Sequence, residues 1–456
     1  MKLNKIAIDN FRCLENYEVS FASGVTALIG MNGSGKTALI YAVRDALSFI
    51  FANNPSWGVS TLINGVPDLT VANIENKEIW HDKAFNQADE ISIKSNATFH
   101  NTELNWEMNK GAKIGSSIKP SLYKDAYITF MNEYKQSKKL PLLAFYSDSF
   151  PHIETNIGKV AKDNLKKDQL PQNWGFYQWD KETSCTSIWQ QRFITTSIRE
   201  YGFTRTIDTV TLENIDSYPT VLKKRDLCLA EINYITDLIK KFTDNEGISA
   251  NDSPFKILSI SLELIEQEQD ISLLFSNGTK MFFSDLPAGY RRLLSIVFDI
   301  AYRAYILGQE SPTGIVIIDE LDLHLHPSME QDVLQRFRRT FPDIQFIVST
   351  HSALVISNLK QSADTKIIMM GIEDDEYVNR MIGDIYGVDY NTALSDFMGT
   401  PARNSTIDFL VESYIRLMRR QRTEQAQKVK DDLKKIVSPK RFSAIENEIN
   451  ERISSK

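Results

Sequence analysis

The chain has 456 residues, 24% of them charged and 42% hydrophobic, the balance of a globular protein with ample core to bury. Its formal net charge of -7 excludes general attraction of nucleic acid by the average surface, while remaining compatible with a local basic patch. Three scattered cysteines, Cys13, Cys185 and Cys228, fit neither a disulfide framework nor a structural zinc site. No apolar run reaches spanning length and no long apolar leader opens the chain, so a cytoplasmic protein without a membrane segment is expected.

Residues 3–8 (LNKIAI) alternate polar and apolar as a strand does, and Val25–Ile29 is a second apolar run stopped by Gly30. Ala38, Leu39, Ala42, Val43, Ala46 and Leu47 then recur at helical spacing, so strand, glycine-rich loop and helix follow directly. Residues 91–108 read as short antiparallel strands and 140–146 (LPLLAFY) as a buried strand. From 151 to 254 the pattern turns irregular and aromatic, giving a mainly helical insert with its own core around Trp174, Trp179 and Trp189 and a longer helix over 227–242. No heptad period is sustained there, which excludes long coiled-coil arms.

Strand patterns return at 255–265 and 271–275, with Asn277-Gly278 as a hairpin signal. A helix over 291–307, the apolar strand Gly314–Ile318, a helix after Pro327 and a strand over 345–349 follow. Beyond Asp375 the chain reads as helical to its end, with Arg416, Arg419, Arg420 and Arg422 on a solvated helix face. The expected organisation is therefore four segments: 1–150, 151–254, 255–375 and 376–456.

Four motifs carry chemistry. Gly30-Met31-Asn32-Gly33-Ser34-Gly35-Lys36-Thr37 is a complete G-x-x-x-x-G-K-T between a predicted strand and a predicted helix. Its glycines let successive backbone N–H groups curl toward phosphate oxygens at a helix N-terminus; Lys36 would reach the β and γ phosphates and Thr37 would offer its hydroxyl to Mg²⁺. Residues 315–320 (IVIIDE) form an apolar strand ending in two acids, Asp319 positioned to hold Mg²⁺ and Glu320 to orient or deprotonate a water. Ser349-Thr350-His351-Ser352 follows the next strand, where His351 would contact the γ-phosphate. Leu286-Pro287-Ala288-Gly289-Tyr290-Arg291-Arg292 heads a helix and would present backbone N–H groups, with an arginine adding charge.

In this order the motifs resemble the ABC-type ATPase heads of the SMC and RecF group. More closely, they look like the shorter ATPases of the overcoming-lysogenization-defect (OLD) type and of bacterial anti-phage operons. Gly30 to Thr37 matches that group's Walker A, 286–292 its signature segment and 315–320 its Walker B. Residues 321–327 (LDLHLHP) resemble its D-loop, and His351 its switch histidine. The resemblance implies an α/β P-loop NTPase fold of ABC-ATPase head type: a mixed sheet with an antiparallel β lobe, an α-helical insert and a helical C-terminal tail. It also implies a head-to-head dimer, in which Leu286, Ala288, Gly289 and Arg291 of one copy close over ATP held by Asn32, Gly33, Ser34, Gly35, Lys36 and Thr37 of the other. Arg12 would reach the nucleotide in its own subunit. Pro287 departs from the pattern, because the family often has a serine there whose hydroxyl contacts the γ-phosphate.

The acidic run 373–376 lacks the spacing of a TOPRIM metal site and reads as a solvated turn, and the six histidines form no HNH-like set. An ATPase without its own nuclease and with a helical tail from residue 385 is similar to the PtuA family of Septu anti-phage systems, relatives of which accompany some retrons. That likeness implies an HNH-type nuclease subunit as partner, homo-oligomers larger than a dimer, and DNA reached through the complex. Two alternatives stand beside it: a RecF-like clamp on duplex DNA, and an ATP-locked scaffold with very slow hydrolysis.

Overall fold

Alternating burial along the first strands shows why they pair as they do. β1 (Lys2–Phe11) buries Leu3, Ile6, Ile8 and Phe11, and β2 (Leu14–Ser20) buries Leu14, Tyr17 and Val19. The structure is a computed structural model that describes residues 1–148, 158–180, 186–209, 215–245, 256–265, 268–383, 385–398 and 404–454. β3 (Val25–Ile29) is buried at every position and runs through a glycine-rich loop into α1 (Lys36–Leu47). β4 (Glu90–Phe99) and β5 (Thr102–Gly111) complete an antiparallel sheet of order β2-β1-β4-β5. α2 (Lys124–Ser137) packs on it, and β6 (Leu142–Tyr146) is again wholly buried.

The insert contains α3 (Lys159–Leu165), α4 (Thr186–Asp208) and α5 (Tyr218–Thr243). Cys185 lies outside the described residues, as does much of the polar stretch between these helices; Cys13 is half-buried and Cys228 buried, both as free thiols.

β7 (Ile257–Ile265), β8 (Glu268–Phe275) and β9 (Lys280–Phe282) make a three-stranded antiparallel sheet, with Gly278 at φ 81 in the β8–β9 turn. α6 (Ala288–Ile306), β10 (Gly314–Ile318), α7 (Pro327–Glu330), α8 (Val333–Thr340), β11 (Ile344–Ser349) and α9 (Ala353–Ser357) follow. β12 (Thr365–Glu373) and β13 (Glu376–Ile382) form a hairpin whose two-residue turn, Asp374-Asp375, has φ 48 and 70.

The acidic run is thus the solvated turn expected of it. The strand Glu376–Ile382, however, stands where a helical tail was expected to begin. Pairing along β12 overrides the weak helical periodicity of that segment.

The central sheet has order β13-β12-β3-β11-β10-β6, parallel except for β13. Its inner strands are continuous apolar runs because helices cover both faces of a parallel sheet. Gln345, fully buried in β11, joins this sheet to the antiparallel lobe: its side chain accepts from the Leu3 N–H at 2.7 Å and donates to the Leu3 and Ala22 carbonyls at 2.8 and 2.7 Å. This is a P-loop ABC-ATPase-like fold.

The aromatic insert does not have the separate core expected of it. Phe176 and Trp179 pack on Phe51, and Trp189 stacks on Tyr302 of α6 at 5.4 Å. Asp299 of α6 gathers the Trp189 indole N–H at 2.5 Å, the Tyr146 hydroxyl at 2.6 Å and Arg303 Nε at 2.7 Å. A single compact unit, Met1–Gly387, therefore includes both the insert and the sheet.

The second unit, Val388–Lys456, contains α10 (Tyr390–Thr392), α11 (Ser405–Arg419), α12 (Thr423–Ile436) and α13 (Pro439–Ser454). Val411, Ile415, Leu433, Phe442, Ile445 and Ile449 form its core, and Arg416, Arg419, Arg420 and Arg422 are exposed as expected. Among the described residues, no helix is long and apolar enough to cross a membrane.

Candidate functional site

Three neighbouring parallel strands, β3, β11 and β10, end on the same edge of the central sheet. Three of the four sequence motifs are the segments that leave those ends. They are more than 280 residues apart in sequence between Lys36 and Asp319, and the topology alone brings them together.

The loop after β3 can turn only because it is rich in glycine. Gly30, Gly33 and Gly35 have φ of 146, 82 and 90, a region that side-chain-bearing residues rarely adopt. A Cβ on Gly30 would overlap the Met370 carbonyl, and one on Gly35 would press on Leu14 and Tyr377. Gly35 is the N-cap of α1, so the free N–H groups of the first helical turn open toward the loop. Asn32, Gly33 and Thr37 are exposed, whereas Ser34 and Lys36 are buried. The Lys36 ammonium donates to the Gly30 carbonyl at 2.8 Å and the Met31 carbonyl at 3.0 Å. Burial pushes the Lys36 pKa down, against the opposing pull of the Asp319, Glu320 and Asp322 carboxylates.

At the end of β10, Asp319 is buried and its Oδ1 accepts a short hydrogen bond from the Ser349 hydroxyl. Ser349 Oγ also accepts the Glu320 N–H at 2.8 Å, so one β11 side chain fixes both acids. Glu320 itself is half-buried with φ 50. Asp322 takes the Thr350 hydroxyl at 2.5 Å and the His351 N–H at 3.1 Å, which ties the residues after β10 to those after β11. His351 is half-buried at this junction.

The fourth motif is placed differently from the others. Leu286 is buried, so only its backbone is available to a ligand; Pro287 caps α6 and Ala288 is exposed. Gly289 is buried because its backbone packs on the D-loop of its own chain, and a Cβ there would overlap the His324 carbonyl. Arg291 donates to the Ser284 carbonyl at 2.7 Å. Arg292 points inward to the carbonyls of the Asp319–Leu321 turn, so it cannot also supply charge to a ligand at the helix start.

Arg12 has φ 53 and is already engaged: it pairs with Glu78 at 2.8 Å and lies 4.1 Å above the Tyr41 ring on α1. Sequence reading missed the parts played by Ser349, Asp322 and Arg292. Ser349 and Asp322 stood inside recognised motifs, and their neighbourhood was the available signal; nothing in the sequence separates Arg292 from Arg291.

The groups expected from the sequence to hold a divalent metal are the Thr37 hydroxyl, which is exposed, and the Asp319 carboxylate, which is buried. That sparse oxygen set fits Mg²⁺, which keeps most of its shell as water and phosphate oxygens. Among the described residues no group of three or more His, Cys, Asp or Glu side chains forms an all-protein metal cage.

Comparison with known proteins agrees with an ATPase. The chain is 24% identical over 405 residues to the "Retron Vc95 probable ATPase" of Vibrio cholerae serotype O1 biovar El Tor, covering 81% of this chain and 73% of that one. It is 22% identical over 430 residues to "Septu protein PtuA" of Bacillus thuringiensis, covering 87% of this chain and 84% of that one. Among solved structures, the "SMC head domain from Thermotoga maritima" aligns with 84% of this chain and 100% of its own, at 12% identity and a TM-score of 0.41. The family described as AAA ATPase domain, AAA_15, matches residues 1–356. With that match spanning most of its length, this chain belongs to the AAA ATPase domain family.

Proposed function

We propose that the chain is the ATP-binding and ATP-hydrolysing subunit of a bacterial anti-phage defence complex. In this reading, nucleotide-dependent dimerisation or higher oligomerisation controls a separate HNH-type nuclease subunit. The observation that carries the ATPase part is the convergence of the Lys36 loop, the Asp319-Glu320 pair and His351 on one sheet edge. The defence setting is supported by the likeness to retron and Septu proteins.

Within the site, the N–H groups from Asn32 to Lys36 cradle the phosphates and Lys36 neutralises the β and γ oxygens. Thr37 and Asp319 would hold Mg²⁺, which when bound would offset phosphate charge. Glu320 orients the attacking water and takes its proton, and His351 contacts the γ-phosphate. The backbone of Leu286, Ala288 and Gly289, with Arg291, closes the site from a second copy; Arg12 lines the nucleotide's own side through Tyr41. The C-terminal helical unit, Val388–Lys456, supplies contacts to further copies or to the nuclease, through which DNA is reached.

Lys36→Ala is expected to weaken ATP binding at least tenfold, on the order of 1.4 kcal/mol or more, read by titration calorimetry. Unchanged affinity would remove the basis of the reading. Glu320→Gln is expected to keep ATP affinity and lower single-turnover hydrolysis about a hundredfold, on the scale of a lost general base. The nuclease partnership is tested by co-purification with neighbouring gene products and mass measurement with and without ATP. Degradation of plasmid DNA by the isolated chain with Mg²⁺ would contradict the division of labour.

A second reading is favoured by Pro287. It starts α6 without a side-chain cap, and proline has no hydroxyl to offer a γ-phosphate. An ATP-locked scaffold would bind nucleotide and assemble, yet show no burst of phosphate in a single turnover.

A further inference from the structure

α6 is buried along most of its length, and its buried residues include three charged ones, Arg292, Asp299 and Arg303. Asp299 and Arg303 bond each other and the insert. Arg292 does something else. Its Nη1 donates to the Glu320 carbonyl at 2.6 Å and the Leu321 carbonyl at 3.4 Å, and its Nη2 to the Asp319 carbonyl at 2.9 Å and the Ser147 carbonyl at 3.2 Å. One planar fork therefore spans the ends of β10 and β6.

A guanidinium that is 1% exposed is held against its own desolvation. Burial pushes its pKa down to about 10 while the Asp322, Glu320 and Asp319 carboxylates pull it back up, so it stays charged at neutral pH. What it holds is a strained turn. Glu320 sits at φ 50, a region unfavourable for a residue with a Cβ. Its carbonyl is turned into Arg292 and its N–H into Ser349 Oγ, so the conformation that aims the Glu320 carboxylate is gripped from both sides. The same end of α6 is wedged on the D-loop through Gly289 and His324.

We infer that Arg292 is a positioning residue for ATP hydrolysis: it fixes the backbone that aims Glu320 and makes the first turns of α6 and that turn move together. This rests on the reading of Glu320 as the residue that orients water. A displacement of the α6 N-terminus by another copy is then passed to Glu320 within the same chain. Lysine is not an equivalent replacement, because a point ammonium cannot bridge carbonyls from two strand ends in one plane.

The test uses the full chain as wild type, Arg292→Lys, Glu320→Gln and the double variant, measuring kcat for ATP with Mg²⁺, ATP affinity and melting temperature. Arg292→Lys is expected to lower kcat at least tenfold with affinity within about threefold of wild type. The double variant is expected to hydrolyse no more slowly than Glu320→Gln alone, within about twofold, because both changes act through one group. Ser349→Ala, which releases the other side of the turn, is expected to give the same pattern and serves if Arg292→Lys does not fold.

Wild-type kcat in Arg292→Lys beside a slow Glu320→Gln would overturn the proposal and leave the Glu320 reading intact. A double variant slowed by the full product of the two single effects would also overturn it, as would equal losses of rate, affinity and melting temperature. Wild-type hydrolysis in Glu320→Gln would instead remove the Glu320 reading itself, and with it the route assigned to Arg292.

Discussion

Asp45 shows how a single buried charge enters the site's surroundings. It lies on α1, two turns past Lys36, and bonds Arg44 at 2.7 Å, while Arg44 and Arg12 both lie over Tyr41. Burial pushes its carboxyl up to about 6 from an ordinary 3.8, against the pull of Arg44. A carboxyl raised in the folded state penalises folding when ionised: the penalty is absent below about pH 4 and complete above about pH 6. Asp45→Asn is therefore expected to gain on wild type as pH rises from about 4 to 6, then run parallel to it, in melting curves of both proteins. Lys36, Asp319 and Glu320 were legible in the sequence because each sits in a local spacing next to an apolar run. Arg292 was not, since its partner Asp319 is 27 residues away and the bond is to backbone, which leaves no mark in residue type.

At the scale of elements, α6 meets the D-loop with no room for a side chain. Gly289→Ala would force its Cβ into the His324 carbonyl, and the expected loss is about 1–3 kcal/mol, read by urea denaturation. Ala288→Ser, one residue earlier and exposed, is expected to stay within about 0.5 kcal/mol. Sequence pattern located β3, β6, β10 and β11 of the central sheet, because a parallel strand buried on both faces is a short apolar run with little else to be, but it passed over β12. It failed at β13, where Glu376–Ile382 is mostly half-buried or exposed and its strand state comes from pairing with β12. The hairpin turn at Asp374-Asp375 was readable as a turn, though not as the link between two strands.

For the molecule as a whole, the insert's tryptophans were visible as core-forming residues, and their sharing with α6 was not. Trp189 reaches Asp299 across 110 residues, a pairing that composition cannot encode. Residues 1–387 form one compact unit, so that fragment is expected to keep ATP affinity within about threefold of the full chain while losing assembly beyond a dimer, by light scattering. The Arg292 fork has one more consequence. It reads main-chain oxygens at Asp319, Glu320 and Leu321 and is indifferent to the side chains they carry. Amidation of Glu320 thus leaves the scaffold's geometry untouched, which makes Glu320→Gln a faithful decoy: a protein that should freeze the loaded assembly long enough to image whatever it recruits.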